Sequence, residues 1–121
     1  MITFKRIDHI HICVPAERLE EARIFYRDIM GLPEKYRPVE LQDLGIWFQL
    51  PDIELHIGVE DAQPYTIRHT AFEVANLEAA RQYLMLHGIE IQTQRDIEGR
   101  KRFSLMDPFG NRMELLEYNR S

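Results

Sequence analysis

Four residues of the 121-residue chain combine a side chain of metal-binding type with matching places in its two halves: His9, His56, His69 and Glu114. Imidazole nitrogens and carboxylate oxygens are good ligands for Zn²⁺, Ni²⁺, Fe²⁺ and Mn²⁺, and three nitrogens with one oxygen leave coordination positions open for water or substrate. Each histidine alone is better explained as a strand residue whose ring bonds to a backbone carbonyl or to water. The four together favour a metal site, because an internal repeat and strand alternation both relate them.

The internal repeat appears when the two halves are aligned. Ile7–Val14 matches Ile67–Val74, with isoleucine, histidine and valine at the first, third and last positions. Further along, Leu55-His56-Ile57 matches Met113-Glu114-Leu115. Similarity at a fixed spacing is the signature of a duplicated structural unit. The sequence therefore predicts two related half-modules.

A helical pattern follows the first strand of each half. Apolar residues recur at helical spacing over Ala16–Met30, and Pro15 precedes them where a first-turn proline is tolerated. In the second half, Asn76 is a candidate N-cap for a helix of the same kind. Both patterns end at a glycine, Gly31 or Gly88, which is the usual left-handed residue after a helix. We interpret the apolar side chains of both helices as core packing.

The other apolar segments predict short strands at Gly45–Leu50, Ile53–Val59, Ile89–Gln94, Arg102–Met106 and Arg112–Tyr118. Tyr36–Leu41 is a weaker strand prediction. A strand, a helix and three strands thus occur twice. This order predicts an α+β fold, in which two βαβββ modules form a curled, mostly antiparallel sheet cup with the helices on its outer face. We expect a single domain over residues 1–121, with half-modules of about 1–62 and 63–121.

Strand alternation places the four candidate ligands on one kind of surface. Successive side chains of a strand point to opposite faces of the sheet. Ile10 and Ile12 share the face that must be buried beneath the helices, so His9 points away from it. By the same reasoning His56, His69 and Glu114 lie opposite the apolar residues of their own strands. Three histidines and a carboxylate are therefore expected on the sheet faces that the helices leave open.

Several other residues have weaker claims to a role. Strand alternation places His11 on the same face as His9, so we interpret it as a pocket wall or a group behind the ligands. For the same reason we interpret Glu73 as part of the rim of the metal site. His87 is most simply a cation near a helix C-terminus. The aromatic residues Trp47, Phe48 and Tyr65 are candidate pocket walls, although packing explains them at least as well.

Composition excludes several classes of protein. The net charge of −5 disfavours a nucleic-acid or anionic-membrane binder, and the single cysteine, Cys13, excludes an intrachain disulfide framework. No apolar run approaches the roughly 20 residues of a membrane span, and the N-terminus does not resemble a signal peptide. We therefore expect a cytoplasmic protein. The basic run Arg100-Lys101-Arg102 is interpreted as a strand end or hairpin, with a clamp for an acidic substrate as the alternative.

The chain resembles the vicinal oxygen chelate superfamily, which includes glyoxalase I, methylmalonyl-CoA epimerase, fosfomycin resistance enzymes, extradiol dioxygenases and bleomycin-binding proteins. The resemblance covers nearly the whole chain and is carried by Ile7-Asp8-His9-Ile10, Phe25-Tyr26-Arg27-Asp28 with Met30-Gly31-Leu32, Leu55-His56-Ile57, His69-Thr70-Ala71-Phe72, and the most specific motif, Asp107-Pro108-Phe109-Gly110-Asn111-Arg112-Met113-Glu114-Leu115. It implies paired βαβββ modules and metal ligands at His9, His56, His69 and Glu114. It also implies a homodimer, with sites made within one chain or across two.

The sequence departs from particular members of that superfamily. Glyoxalase I has a glutamate where this chain has His56, and the epimerase as a rule has a glutamine. Extradiol dioxygenases use two histidines and a carboxylate, which His9, His69 and Glu114 would supply, leaving His56 nearby as an acid or base. The resemblance thus implies a lyase, isomerase or dioxygenase that binds a small substrate through two neighbouring oxygens.

In such an enzyme, Glu114 or His56 is the candidate for moving a proton. One alternative is a non-catalytic small-molecule or drug binder of the bleomycin-resistance kind. The other is a module that keeps its metal site without activity.

Overall fold

The computed structural model describes residues 1–62 and 66–119. The chain forms two compact units, Met1–Ala62 and Gln63–Ser121, and each is described by itself. Both units have the order strand, helix and three strands. The α+β class and the two βαβββ modules are therefore confirmed.

The first unit contains a four-stranded mixed sheet of order β1-β4-β3-β2. Its strands are β1 (His9–Val14), β2 (Glu34–Lys35), β3 (Gly45–Gln49) and β4 (Glu54–Val59). Strands β1 and β4 are parallel, and the other two pairs are antiparallel. The register places Ile46 and Phe48 of β3 beside Ile57 and Leu55 of β4, and all four are buried. Their shared face is the core face of this unit.

The helical segment of the first unit is less regular than the sequence predicts. A 3₁₀ turn at Ala16–Arg18 leads into α1 (Leu19–Arg23), and a π-helical stretch follows over Ile24–Ile29. Phe25 and Tyr26 in this stretch are both buried, and the Tyr26 ring lies 6.1 Å from that of Phe48 on the sheet. The wider π turn thus accompanies the burial of two consecutive aromatic side chains against the core face.

The second unit repeats the same topology with the order β5-β8-β7-β6. Its elements are β5 (His69–Glu73), α2 (Leu77–Leu86), β6 (Gln92–Thr93), β7 (Arg100–Met106) and β8 (Arg112–Tyr118). Strands β5 and β8 are parallel, and the other two pairs are antiparallel. The α2 helix begins at the predicted N-cap, where Asn76 Oδ1 accepts a hydrogen bond of 2.9 Å from Ala79 N.

The glycine that follows each helical segment has the expected left-handed backbone. Gly31 has φ 77° and Gly88 has φ 74°. Beyond Gly88, Ile89 N bonds to Leu84 O at 3.0 Å, which closes the C-terminal turn of α2. Ile89 therefore cannot join a sheet ladder with the same N–H group. The predicted strand Ile89–Gln94 therefore does not begin at Ile89, and β6 has only two residues.

The predicted strand at Tyr36–Leu41 is wrong. The strand that pairs with β3 is β2, just before this segment. Pro38 has no backbone N–H to give to a sheet, and its carbonyl instead accepts a 3.2 Å bond from Leu41 N in a turn. Tyr36 and Val39 remain exposed. None of the helices in the described residues has the length and apolar content that crossing a lipid bilayer requires.

Two facing glycines in the first sheet give a test of this packing. Gly45 and Gly58 are register partners. A Cβ at Gly45 would lie 2.6 Å from the backbone oxygen of Ile57, whereas one at Gly58 would meet the His11 ring at 2.7 Å. Backbone in a sheet cannot move aside, but an exposed ring can rotate. We expect Gly45→Ala to lower the free energy of unfolding by about 1–3 kcal/mol, and Gly58→Ala to cost less than about 1 kcal/mol. Urea unfolding of both variants checks this, and equal costs would contradict it.

Candidate functional site

Three neighbouring strands of the first unit bring an aromatic stack to the sheet face opposite the core. The His56 ring on β4 lies 3.9 Å from the His9 ring on β1, with 15° between their planes. On its other side the Trp47 ring on β3 lies 4.0 Å away, at 3°. His56 is therefore only 8% exposed, whereas the side chain of His9 is 42% exposed. We call His9, Trp47, Glu54 and His56 the first half-site.

A carboxylate fixes the orientation of each histidine in the first half-site. His9 Nδ1 lies 2.9 Å from Asp8 Oδ2, and His56 Nε2 lies 2.9 Å from Glu54 Oε1. An ionised carboxylate only accepts hydrogen bonds, so the ring nitrogen facing it carries the proton. His9 is left with Nε2 as its lone-pair nitrogen, and His56 with Nδ1. The two rings thus offer different atoms to a ligand.

Glu54 is held in its charged form by two partners. The larger effect comes from the hydrogen bond with His56, and the smaller from the Lys35 ammonium, which lies 2.6 Å from Glu54 Oε2. Together they lower the pKa of the Glu54 carboxyl below its ordinary value. The carboxylate therefore stays an acceptor for His56 throughout the neutral range.

The second unit places a histidine and a glutamate side by side on its parallel strand pair. His69 Nδ1 donates to the backbone oxygen of Ile67 at 2.9 Å, which leaves Nε2 as the lone-pair nitrogen. That Nε2 lies 3.7 Å from Glu114 Oε1. The Glu114 side chain is 11% exposed, and its Oε1 also accepts a 3.1 Å bond from Arg102 Nη1. We call His69, Arg102 and Glu114 the second half-site.

The donor atoms of the second half-site lie nearly as far apart as two ligands of one divalent ion. Two ligands of one ion, each about 2.0–2.1 Å from it, are roughly 3.0–3.5 Å apart at tetrahedral or octahedral angles. His69 Nε2 and Glu114 Oε1, at 3.7 Å, are already close to that separation. Within the described part of the chain, no group of three or more His, Cys, Asp or Glu side chains is positioned to hold a metal ion. Each half-site therefore contributes its candidate ligands as a pair.

The remaining candidates divide between packing and local hydrogen bonding. Phe48 is fully buried, so its packing role is confirmed. The His11 ring lies beside Cys13 Sγ at 3.8 Å, and burial raises the pKa of the Cys13 thiol. His87 forms the C-cap of α2 and its Nδ1 bonds to Tyr83 O at 2.9 Å. Tyr65 lies outside the described residues.

Glu73 lies away from the paired ligands along the same strand. With Val74, Ala75, Glu117 and Tyr118, it lines a cavity of about 480 Å³ at the end of β5 and β8. Its predicted place on the rim of the metal site stays a prediction.

One residue of the half-sites was not singled out from the sequence, and another was noted only as part of the basic run. Glu54 stands two positions before His56 on the same strand face, which is a visible signal. Arg102 belongs to the basic run, whose predicted place at a strand end is confirmed, because β7 begins at Arg100. The Arg102 side chain is not simply solvated, as a strand end would be. Its Nη1 bonds to Glu114, and its Nε and Nη2 bond to Arg95 O at 3.2 and 2.8 Å.

Comparison with known proteins gives one family. The model of the Glyoxalase/Bleomycin resistance protein/Dioxygenase superfamily matches residues 6–115. A solved structure from Bacillus anthracis, described as a glyoxalase family protein, is 36% identical with a TM-score of 0.90, and the match covers 98% of this chain and 99% of that one. No curated protein sequence matches the chain.

Two more distant structures share the fold. The fosfomycin resistance protein FosX from Listeria monocytogenes, complexed with Mn(II) and sulfate, is 18% identical with a TM-score of 0.79 over 97% of this chain and 93% of that one. The antibiotic binding protein TnmS3 from a Streptomyces species is 14% identical with a TM-score of 0.80 over 98% and 100%. At these identities the likeness establishes the fold alone.

The Glu54 interactions predict how stability depends on pH. A carboxyl with a lowered folded-state pKa stabilises the fold above its unfolded pKa, and that stability is lost as the pH falls through the folded pKa. We expect Glu54→Gln to lower the free energy of unfolding by about 1 kcal/mol at pH 7 and to have little effect near pH 3. Urea unfolding at both pH values checks this, with Glu90→Gln, an exposed carboxylate, as the control. A cost that is the same at both pH values would show that the charge of Glu54 contributes nothing.

Proposed function

Because the chain belongs to the glyoxalase/bleomycin resistance protein/dioxygenase superfamily, we propose that it is a divalent-metal-dependent enzyme acting on a small substrate with two neighbouring oxygens. The ligands in this proposal are His9, His56, His69 and Glu114, and the ion is Zn²⁺, Ni²⁺, Fe²⁺ or Mn²⁺. Each half-site would contribute its ligands as a pair. The reaction would be of the lyase, isomerase or dioxygenase type.

One observation carries this proposal. His9 and His69 begin the first strands of their units, and each ring bonds through Nδ1 to an acceptor, so that Nε2 is the lone-pair nitrogen of the neutral ring. Acceptors behind ligand histidines fix the ring orientation and make the exposed nitrogen more basic. A metal site is expected to contain histidines whose Nδ1 atoms are hydrogen-bonded, and here two such histidines stand at repeated positions. A single strand histidine can bond to a nearby carbonyl or carboxylate without being a ligand, so the support comes from the repeat of this arrangement at matching positions of the two units.

His56 has a different place in the proposal. Its Nε2–H is directed at Glu54, so only Nδ1 is left to bind an ion or a substrate proton. The stack between Trp47 and His9 holds the ring in one plane. We therefore assign His56 first to proton transfer and second to metal binding, and Glu114 first to metal binding.

The chemistry follows from what these side chains do. When bound, a divalent ion supplies a Lewis acid that polarises the substrate oxygens and stabilises negative charge on them. His9, His69 and Glu114 would orient it, since their own positions are fixed by hydrogen bonds. His56 Nδ1 would accept or return the substrate proton, while Glu54 keeps the Nε2 proton in place.

A non-catalytic small-molecule binder is the second candidate. The Trp47, His56 and His9 rings form a flat, stacked surface on which an aromatic ligand could also pack. TnmS3, which shares the fold, is an antibiotic binding protein, and FosX was solved with Mn(II). The two candidates differ in whether the protein holds an ion, which can be measured directly.

Metal content of the purified protein tests the proposed function. We expect close to one divalent ion per site by mass spectrometry of tag-free protein purified without chelator. His69→Ala and Glu114→Gln should each weaken metal binding by roughly 100-fold or more, because outer residues of metal sites already contribute about 10- to 100-fold. His87→Ala is the matched control, since among the described residues the His87 ring bonds to Tyr83 O of its own helix. A parent protein without metal after reconstitution would favour the binder.

Assembly and location complete the proposal. We propose a cytoplasmic homodimer whose partners are small molecules, with no nucleic acid or membrane partner. In support, α2 exposes the large apolar side chains of Tyr83, Met85 and Leu86, at 43%, 58% and 85%, and exposed apolar surface can mark an interface.

The dimer can be tested by light scattering. We expect twice the mass of the chain on a size-exclusion column, and a shift towards the monomer in Leu86→Glu, because a charge would have to be buried in the interface. Leu86 is exposed in the single chain, so the substitution should leave its fold intact. A parent protein with the mass of one chain would exclude the dimer.

A further inference from the structure

Arg102 and His69 approach the same oxygen of Glu114. Arg102 Nη1 lies 3.1 Å from Glu114 Oε1, and His69 Nε2 lies 3.7 Å from it. Both side chains of the ion pair are largely buried, at 17% and 11% exposed. An ion bound between His69 and Glu114 would have to share this oxygen with a guanidinium, which carries a positive charge and cannot lose its proton.

The position of Arg102 does not depend on Glu114. Its Nε and Nη2 both donate to the backbone oxygen of Arg95, at 3.2 and 2.8 Å. Only Nη1 is directed at the carboxylate. If Glu114 moves to an ion, the guanidinium therefore stays in place, next to that ion, with an Nη1 donor that has lost its acceptor.

We propose that Arg102 is an oxyanion-binding residue of the second half-site, and that it takes up an anionic group of the substrate when Glu114 passes to the metal ion. This inference rests on the proposed function and narrows its substrate class to small acids that carry a carboxylate or a tetrahedral oxyanion beside the neighbouring oxygens. Guanidinium donors match both groups. In the absence of metal, Glu114 occupies the place of the substrate anion.

The proposal makes metal binding and anion binding depend on each other. Metal removes Glu114 from Arg102 and frees it for an anion, while an anion on Arg102 releases Glu114 to the metal. Thermodynamic linkage requires the two effects to be equal. Without an anion, Arg102 competes with the metal and lowers its affinity.

Calorimetric titration of the full chain with Mn²⁺, in chloride buffer with and without added sulfate or acetate, tests both statements. In the parent we expect either anion to raise Mn²⁺ affinity by roughly 5-fold or more. Sulfate represents a tetrahedral oxyanion and acetate a carboxylate, so the stronger effect identifies the group. In Arg102→Met, Mn²⁺ should bind roughly 5-fold tighter without anion, and the anion effect should disappear.

Two further variants keep the test decisive. Lys101→Met makes the same change in charge at the neighbouring, exposed residue and should behave as the parent. Arg102→Lys keeps the positive charge should Arg102→Met fail to fold. The lysine ammonium should still compete with the metal for Glu114, so the parent-like Mn²⁺ affinity should remain. It lacks the paired donors of a guanidinium, so the anion effect should weaken.

The outcomes separate this inference from the proposed function. Mn²⁺ binding that is unaffected by Arg102→Met, or that neither anion changes in the parent, would overturn the role of Arg102 and leave the metal site standing. A parent protein that binds no Mn²⁺ and no other divalent ion would overturn both.

Discussion

The parallel pairing of the first and last strands in each unit is the constraint on which the candidate site depends. It sets β1 beside β4 and β5 beside β8, so that each half brings residues distant in sequence onto adjacent strands. Alternation then separates the two faces. Apolar residues such as Leu55 and Met113 go to the core, and the intervening His56 and Glu114 go to the opposite face. If one strand of a parallel pair slipped by one residue, all of its side chains would change faces. Neither the pair of His9 and His56 nor the pair of His69 and Glu114 would then form.

The two half-sites stabilise their polar groups in different ways. In the first, carboxylates hold histidine rings, and the rings stack on one another and on Trp47, so apolar contact covers most of the polar atoms. In the second, a buried carboxylate is neutralised by Arg102 and approached by His69. In the first half-site the charge of Glu54 is thus balanced by Lys35, away from the stacked rings, whereas in the second the charge of Glu114 lies at the candidate metal position, where a bound cation would change the balance.

Strand alternation was enough to predict which side chains leave the core, because it depends only on local sequence. The hydrogen-bond partners of those side chains could not be predicted in the same way. The acceptor behind His69 is the backbone oxygen of Ile67, which has no sequence signature. The contact between Arg102 and Glu114 depends on the register of β7 against β8, which the length of the intervening turn determines.

The wrong and incomplete strand predictions have a similar origin. Tyr36–Leu41 has the alternation of a strand, but Pro38 interrupts the ladder and turns the chain. Ile89 has a strand-like neighbourhood, but its N–H closes the end of α2. In both cases a backbone hydrogen bond outweighed a pattern of side chains. Each backbone N–H has one hydrogen, and one that is used in a turn or a helix end is no longer available to a sheet.

The charge pair in the second half-site favours an enzyme over a binder of apolar ligands. Replacing both members of a buried ion pair by apolar residues of similar volume is often neutral or stabilising, so a buried pair such as Arg102 and Glu114 is weak evidence of a role in stability alone. A pocket for an apolar drug would also gain from apolar residues there. A metal ion that binds Glu114 and an anion that binds Arg102 would each use one of these two charged side chains. The stacked rings of the first half-site suit either function, so the distinction depends on the second half-site.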